Sequence, residues 1–199
     1  MGVSVLKKAF SLYLVRVFFN LFGMAVSWLV ISIGLDLLSE SFDLFIPREY
    51  LFFLSGYSRK TYQNTLVIAQ ELYMFELILS VFGITSQCFV TSAMQIGSRV
   101  FISRCACTHN NRIITGLMAL IWGVSDMIRF LYYGCHLLKK PRYISSLILY
   151  PVGIFCEIFL MVYMRSILTL IGLVTYIPGI RYLYGRIREK SKTVSGKSK

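Results

Sequence analysis

Residues 12–35 read LYLVRVFFNLFGMAVSWLVISIGL, with Arg16 and Asn20 among the few polar interruptions. A helix needs ~20 largely apolar residues to cross the ~30 Å hydrocarbon core of a bilayer, and this stretch is long enough. Working outward, comparable runs cover residues 65–84, 87–104, 113–133, 143–162 and 166–183, the third being interrupted by Gln95 and Arg99. The whole chain of 199 residues is 56% hydrophobic and only 15% charged, where a soluble domain carries about a quarter charged residues. The expected fold is therefore an all-α integral membrane protein, a six-transmembrane-helix bundle. Residues 1–190 form a single membrane domain and 191–199 a basic disordered tail. Residues 36–64 read as one long loop holding Asp36, Glu40, Asp43, Pro47 and Glu49, with a short apolar segment at 50–54 suited to the interface.

Charge sets the expected orientation. The formal net charge is +12, and seven of the 21 basic residues lie at Arg181, Arg186, Arg188, Lys190, Lys192, Lys197 and Lys199. Lys7, Lys8, Lys139, Lys140 and Arg142 flank other apolar runs, so twelve basic residues fall on the side of the two termini and six on the other. Basic flanks stay on the cytosolic side, which predicts cytosolic N- and C-termini. Lys7 and Lys8 before an apolar run imitate a signal peptide, but the run continues to Leu35 and reads as a retained span. Clustering at span ends points to lipid head groups or an acidic ligand rather than to nucleic acid. The five cysteines show no ligand spacing, which argues against a zinc site or a disulfide framework.

Polar residues inside the spans recur at helical intervals. Span one has Arg16, Asn20, Gly23 and Ser27; span two Tyr73, Glu76, Ser80 and Gly83; span three Ser92, Gln95, Arg99 and Ser103. Span four has Trp122, Ser125, Arg129 and Tyr132, and span five Ser146, Tyr150, Gly153 and Glu157. Steps of three and four place each set on one helix face. A polar face turned to lipid is expensive, so the five faces are expected to converge on one closed cavity with a long apolar extension, lined by Tyr73, Gln95, Arg99 and Glu157. Ser and Gly in such faces also serve ordinary helix packing. Asp126 and Arg129, three residues apart, are expected to pair, and Glu71 to face an interface. Glu157 has no basic residue within a turn on its own helix, which makes it the leading functional candidate.

Span five continues the case. Tyr150 and Glu157 are seven residues apart, on one face and roughly 10 Å apart along the axis. Gly153 between them leaves room for a ligand beside the backbone, and Pro151 removes a helix hydrogen bond and favours a kink. A phenol and an acid flanking a gap suit acid–base work on one bound molecule. A kinked helix with one buried ion pair is the structural alternative.

These residues resemble a known family, the very-long-chain (3R)-3-hydroxyacyl-CoA dehydratases of the endoplasmic reticulum, also called protein-tyrosine-phosphatase-like A. The likeness runs from about Phe19 to Lys190 through Phe19-Asn20 with Trp28, Glu76, Gly83-Ile84-Thr85-Ser86, Gln95-Ile-Gly-Ser98-Arg99, Trp122 and Ile128-Arg129-Phe130. Its most specific string is Arg142-Tyr143, then Leu149-Tyr150-Pro151, Gly153 and Glu157. Departures fall at Asp126 (usually Glu), Phe130 (usually Tyr), Leu79 (often His) and Gln87 (often Pro). The phosphatase-like name finds no support, because Cys107 and Arg112 leave four residues between them where that chemistry needs five.

The resemblance implies a multi-pass protein of the endoplasmic reticulum membrane that dehydrates 3-hydroxyacyl-CoA to trans-2-enoyl-CoA. Its catalytic pair would be Tyr150 and Glu157, supported by Gly153, Ser146, Tyr73, Gln95, Arg99, Arg129 and Arg142. Elimination of water needs a base for the proton beside the thioester and an acid for the departing hydroxide. It calls for no metal or redox cofactor. The implied partners are the acyl-CoA substrate, membrane lipid, and an elongase, a ketoacyl-CoA reductase and an enoyl-CoA reductase. The alternative function is a catalytically silent membrane adaptor of that machinery. A proton-coupled transporter would call for an inverted repeat, which the chain lacks.

Overall fold

The computed structural model describes residues 2–42, 59–84, 89–105, 111–134 and 139–194, and these are almost wholly helical, with no strand among them. Seven helices follow along the described chain: α1 (Gly2–Phe42), α2 (Arg59–Leu72), α3 (Met74–Val81), α4 (Phe89–Cys105), α5 (Arg112–Gly134), α6 (Lys139–Met164) and α7 (Ile167–Val194). Among the described residues, five segments are long and apolar enough to cross a membrane: Ser11–Ser39, Tyr62–Val81, Arg112–Gly134, Ile144–Met164 and Ile167–Arg186. The third expected span is not among them. It forms α4, whose 17 residues measure about 26 Å at ~1.5 Å per residue and include Gln95, Arg99 and Arg104.

Three boundaries differ from the sequence reading. The long loop is shorter than 36–64, because α1 continues to Phe42 and α2 begins at Arg59. Asp36 stays inside α1 and is buried, carried there by its neighbours Ile33 and Leu37 in the core. The segment 50–54 and Gln87 lie outside the described residues. The second span is two helices broken at Tyr73, whose carbonyl accepts the Glu76 N–H at 2.9 Å. At the other end α7 runs past Lys190 to Val194, since the Arg, Glu and Lys residues there are good helix formers.

The bundle is built around α1 and α5, whose backbones nearly touch. A Cβ on Gly34 would lie 2.6 Å from the Leu120 nitrogen, and one on Gly123 would lie 2.8 Å from the Ile31 nitrogen. Without a hydrophobic drive between helices in lipid, such close small-residue packing is what holds them together. The ring of fully buried Phe130 fills the space over Gly23. These pairs run in opposite chain directions, so α1 and α5 are antiparallel. The same holds for α6 and α7, where Tyr150 meets Tyr184 and Glu157 meets Tyr176. It holds again for α4 and α7, where Met94 meets Gly179 and Phe101 meets Gly172. The turn from α6 to α7 is tight, with Arg165 at φ 50° and the Thr169 hydroxyl donating to the Ser166 carbonyl at 2.7 Å.

Candidate active site

A partly open cavity of about 810 Å³ lies between α4, α5, α6 and α7. On α7 its wall extends from Leu168 to Arg186, roughly 27 Å of helix at ~1.5 Å per residue. Arg142, Arg186 and Tyr132 mark one end, and Phe101, Leu168, Ile171 and Gly172 the other. The absence of a side chain at Gly172 lets the Phe101 ring lie against α7, since a Cβ there would stand 2.9 Å from Phe101 Cε1.

Glu157 sits between these ends and is only 7% exposed. Its Oε1 accepts the Trp122 Nε1–H at 2.7 Å from α5. Its Oε2 accepts the Tyr176 hydroxyl from α7. An isolated buried carboxylate costs several kcal/mol, and two donors from two other helices offset that cost. Tyr150 faces the same cavity, its ring stacked on Tyr184 with centroids 6.4 Å apart. Between them Gly153 is open on the cavity side, where a Cβ would make only an ordinary 3.5 Å contact with Ile121. α6 remains helical through Pro151.

One wall of the cavity is charged. Arg99 Nη1 lies 2.5 Å from Asp126 Oδ2, and Arg129 Nη2 lies 3.4 Å from Asp126 Oδ1 and 3.0 Å from Glu76 Oε2. Two cations and two anions thus neutralise one another in the protein interior. The expected Asp126–Arg129 pair is present, but as one edge of this larger network. Arg99 also stacks over Trp122 at 5.5 Å, which ties the charged wall to the Glu157 site. At the basic end, Arg142 lies over the rings of Tyr132 and Tyr133 at 4.4 and 5.1 Å. Its carbonyl accepts the Ser146 hydroxyl at 2.7 Å.

Of the residues singled out in the sequence, Tyr150, Glu157, Gly153, Ser146, Gln95, Arg99, Arg129 and Arg142 all line the cavity. Tyr73 does not. It is packed behind the wall, with its hydroxyl 2.9 Å from the Ser27 hydroxyl and its ring stacked on Phe130. The five polar faces therefore do not share one closed interior. Those of spans four and five line the cavity, and span three contributes Gln95 and Arg99, while Ser92 and Ser103 are buried away from it. Gly23, Ser27, Tyr73 and Glu76 are spent on packing α1, α3 and α5 together, while Arg16 donates to the Ile84 carbonyl at 2.8 Å. Glu71 meets Arg104 at 2.8 Å on an exposed edge. The cavity's fourth wall carries no polar stripe to mark it in the sequence. On α7, Gly172, Tyr176, Gly179 and Leu183 recur at intervals of four, three and four, a face muted by its small and apolar members.

The fold and site define a helical membrane protein with an internal cavity in which a phenol and a doubly hydrogen-bonded carboxylate face one space. The family model described as protein tyrosine phosphatase-like protein, PTPLA, matches residues 70–197, and the chain belongs to that family. It is similar to a probable very-long-chain (3R)-3-hydroxyacyl-CoA dehydratase of Schizosaccharomyces pombe, at 28% identity over 155 residues, covering 66% of this chain and 74% of that one. The dehydratase hpo-8 of Caenorhabditis elegans is 29% identical over 170 residues, covering 67% and 78%. Human very-long-chain (3R)-3-hydroxyacyl-CoA dehydratase 2 is 28% identical over 150 residues, covering 68% and 54%. No solved structure matches. Neither described cysteine, Cys105 or Cys156, lines the cavity.

Proposed function

We propose that this protein is a hydro-lyase that converts 3-hydroxyacyl-CoA to trans-2-enoyl-CoA during very-long-chain fatty-acid elongation. The observation that carries the reading is that Tyr150 and Glu157 face one cavity that runs from a basic end to an apolar end, in a chain whose relatives are named for this activity. CoA phosphates meet Arg142 and Arg186, with Lys139 and Lys140 adjacent in sequence. The acyl chain extends past Glu157 toward Phe101 and Leu168.

The catalytic roles follow from the contacts of the pair. Both oxygens of Glu157 accept hydrogen bonds, which fixes the direction of the carboxyl group for its role as the base. Glu157 removes a proton from the carbon beside the thioester carbonyl. That electron pair becomes the new carbon–carbon double bond, and the bond from the next carbon to its hydroxyl breaks. Tyr150 donates its proton to the departing hydroxyl, which leaves as water. Glu157 passes its proton to water that enters as the enoyl-CoA leaves, and the Tyr150 oxygen takes a proton back from water, which restores both groups. Arg99, Arg129, Gln95, Ser146 and Gly153 support the bound substrate along the wall.

The same reading makes the chain a six-span protein of the endoplasmic reticulum membrane with both termini cytosolic. Alternating helix directions support it: α4 is antiparallel to α7, and α7 to α6, the directions that a sixth crossing between α3 and α5 requires. An elongase and a ketoacyl-CoA reductase would supply the substrate, and an enoyl-CoA reductase would consume the product. The test is incubation of the detergent-purified protein with a 3-hydroxyacyl-CoA, followed by mass spectrometry. The expected result is loss of water to give the enoyl-CoA. A folded protein that binds the substrate but never dehydrates it would overturn the reading in favour of a silent adaptor.

A further inference from the structure

We infer that Tyr176 is a positioning residue for Glu157, setting the carboxylate's orientation from a separate helix; the inference rests on the dehydratase reading above. Among the described residues, Glu157 has no charged partner within hydrogen-bonding reach. Arg99 is committed to Asp126, and Arg129 to Asp126 and Glu76. Its grip on the protein therefore consists of two neutral donors, Trp122 Nε1–H on Oε1 and the Tyr176 hydroxyl on Oε2.

The two donors act differently. Trp122 is 2% exposed and belongs to the α5 core, so its N–H is fixed by packing. Tyr176 sits on α7, whose neighbouring positions Val174, Thr175 and Ile177 are exposed. Its ring and Gly179, one turn away, line the same cavity as the carboxylate. With one oxygen pinned by Trp122, rotation of the carboxyl plane is limited by the hydroxyl on the other. Removing that hydroxyl leaves Glu157 buried but free to turn away from the substrate's acidic carbon. An error of about an ångström in a reacting group is enough to cost ~10²-fold in rate. Substrate affinity should stay near its normal value, because the hydroxyl is engaged by Glu157.

The test compares Tyr176→Phe, Glu157→Gln and the double variant in detergent-purified protein. kcat and KM for a 3-hydroxyacyl-CoA are followed over hours, so that residual turnover is measurable, and thermal unfolding is recorded for each. Tyr176→Phe should lower kcat roughly ten- to hundredfold, the range of a lost hydrogen bond to a charged group, with KM within about a factor of two. In the Glu157→Gln background the same change should cause little further loss, because the hydroxyl acts only through the carboxylate. Full kcat in Tyr176→Phe beside an inactive Glu157→Gln would overturn the positioning role and leave the dehydratase reading standing. Equal losses in both backgrounds, tracking a fall in unfolding temperature, would reduce Tyr176 to a packing residue. Full activity in Glu157→Gln would remove the catalytic assignment itself, and this inference with it.

Discussion

At the scale of single residues, Asp126 carries more than its sequence neighbours suggest. Its two oxygens are divided between Arg99 and Arg129, so replacing it takes from Arg99 its ion-pair partner and leaves Arg129 with Glu76. Asp126→Asn is expected to cost about 3–5 kcal/mol, the range for breaking a buried ion pair, read as early melting in detergent with activity lost in proportion. Glu157→Gln should behave in the opposite way. A glutamine can still accept from Trp122 through its oxygen and donate its amide to the Tyr176 oxygen, so folding survives while the base is gone. Tyr150→Phe keeps the ring that stacks on Tyr184 and loses only the transferable proton. Each of these two variants should lower kcat by at least ~10²-fold with near-normal melting and substrate affinity; well-folded, fully active variants would refute the catalytic pair. Phe130 is fully buried against Gly23 and among aromatic rings, so an apolar side chain suits its site.

At the scale of elements, the glycines of the bundle divide by what faces them. Gly34 and Gly123 meet backbone atoms of a partner helix, which cannot step aside as a flexible side chain can. Gly34→Ala should force α1 and α5 apart and cost ~1–3 kcal/mol as overpacking, seen as a lower unfolding temperature. Gly153 faces the cavity, with an Ile121 methyl 3.5 Å from a would-be Cβ. Gly153→Ala should melt like the parent protein but raise KM, because the added methyl occupies space meant for the substrate. If the two substitutions exchange these effects, the division between packing glycine and cavity glycine is wrong.

At the scale of the whole molecule, the alternating helix directions and the basic ends make one joint prediction. Glycosylation acceptor sites inserted between Phe42 and Arg59 should be modified, and sites appended after Val194 should not. A modified tail would mean that α4 does not cross. Length-dependent activity offers a second check, since the cavity ends near Phe101 and Gly172. Enlarging Gly172 to leucine should reduce turnover of long acyl chains more than of short ones, measured as a ratio of kcat/KM values.

The apolar runs, the position of most helices and the pairing of Tyr150 with Glu157 on one face were all legible in the sequence. Each depends on spacing along a single helix, and helical geometry fixes such spacing locally. The i,i+3 relation of Asp126 to Arg129 was legible for the same reason. What α4 contributes, which polar faces line the cavity and what holds Glu157 were not. Those depend on which helices become neighbours and how far each turns about its axis. Arg99 reaches Asp126 across 27 positions and Trp122 reaches Glu157 across 35, distances at which no periodicity carries information. Tyr73 shows the limit clearly: one continuous helical face is expected through it, yet the break between α2 and α3 and the ring of Phe130 decide that it packs behind the wall. The sequence by itself determined a helical membrane protein with an acid and a phenol on one face of its fifth apolar run. Only the tertiary structure decided that α7 closes the cavity with Tyr176 on the carboxylate, because helix-to-helix packing is settled by contacts between distant residues rather than by order along the chain.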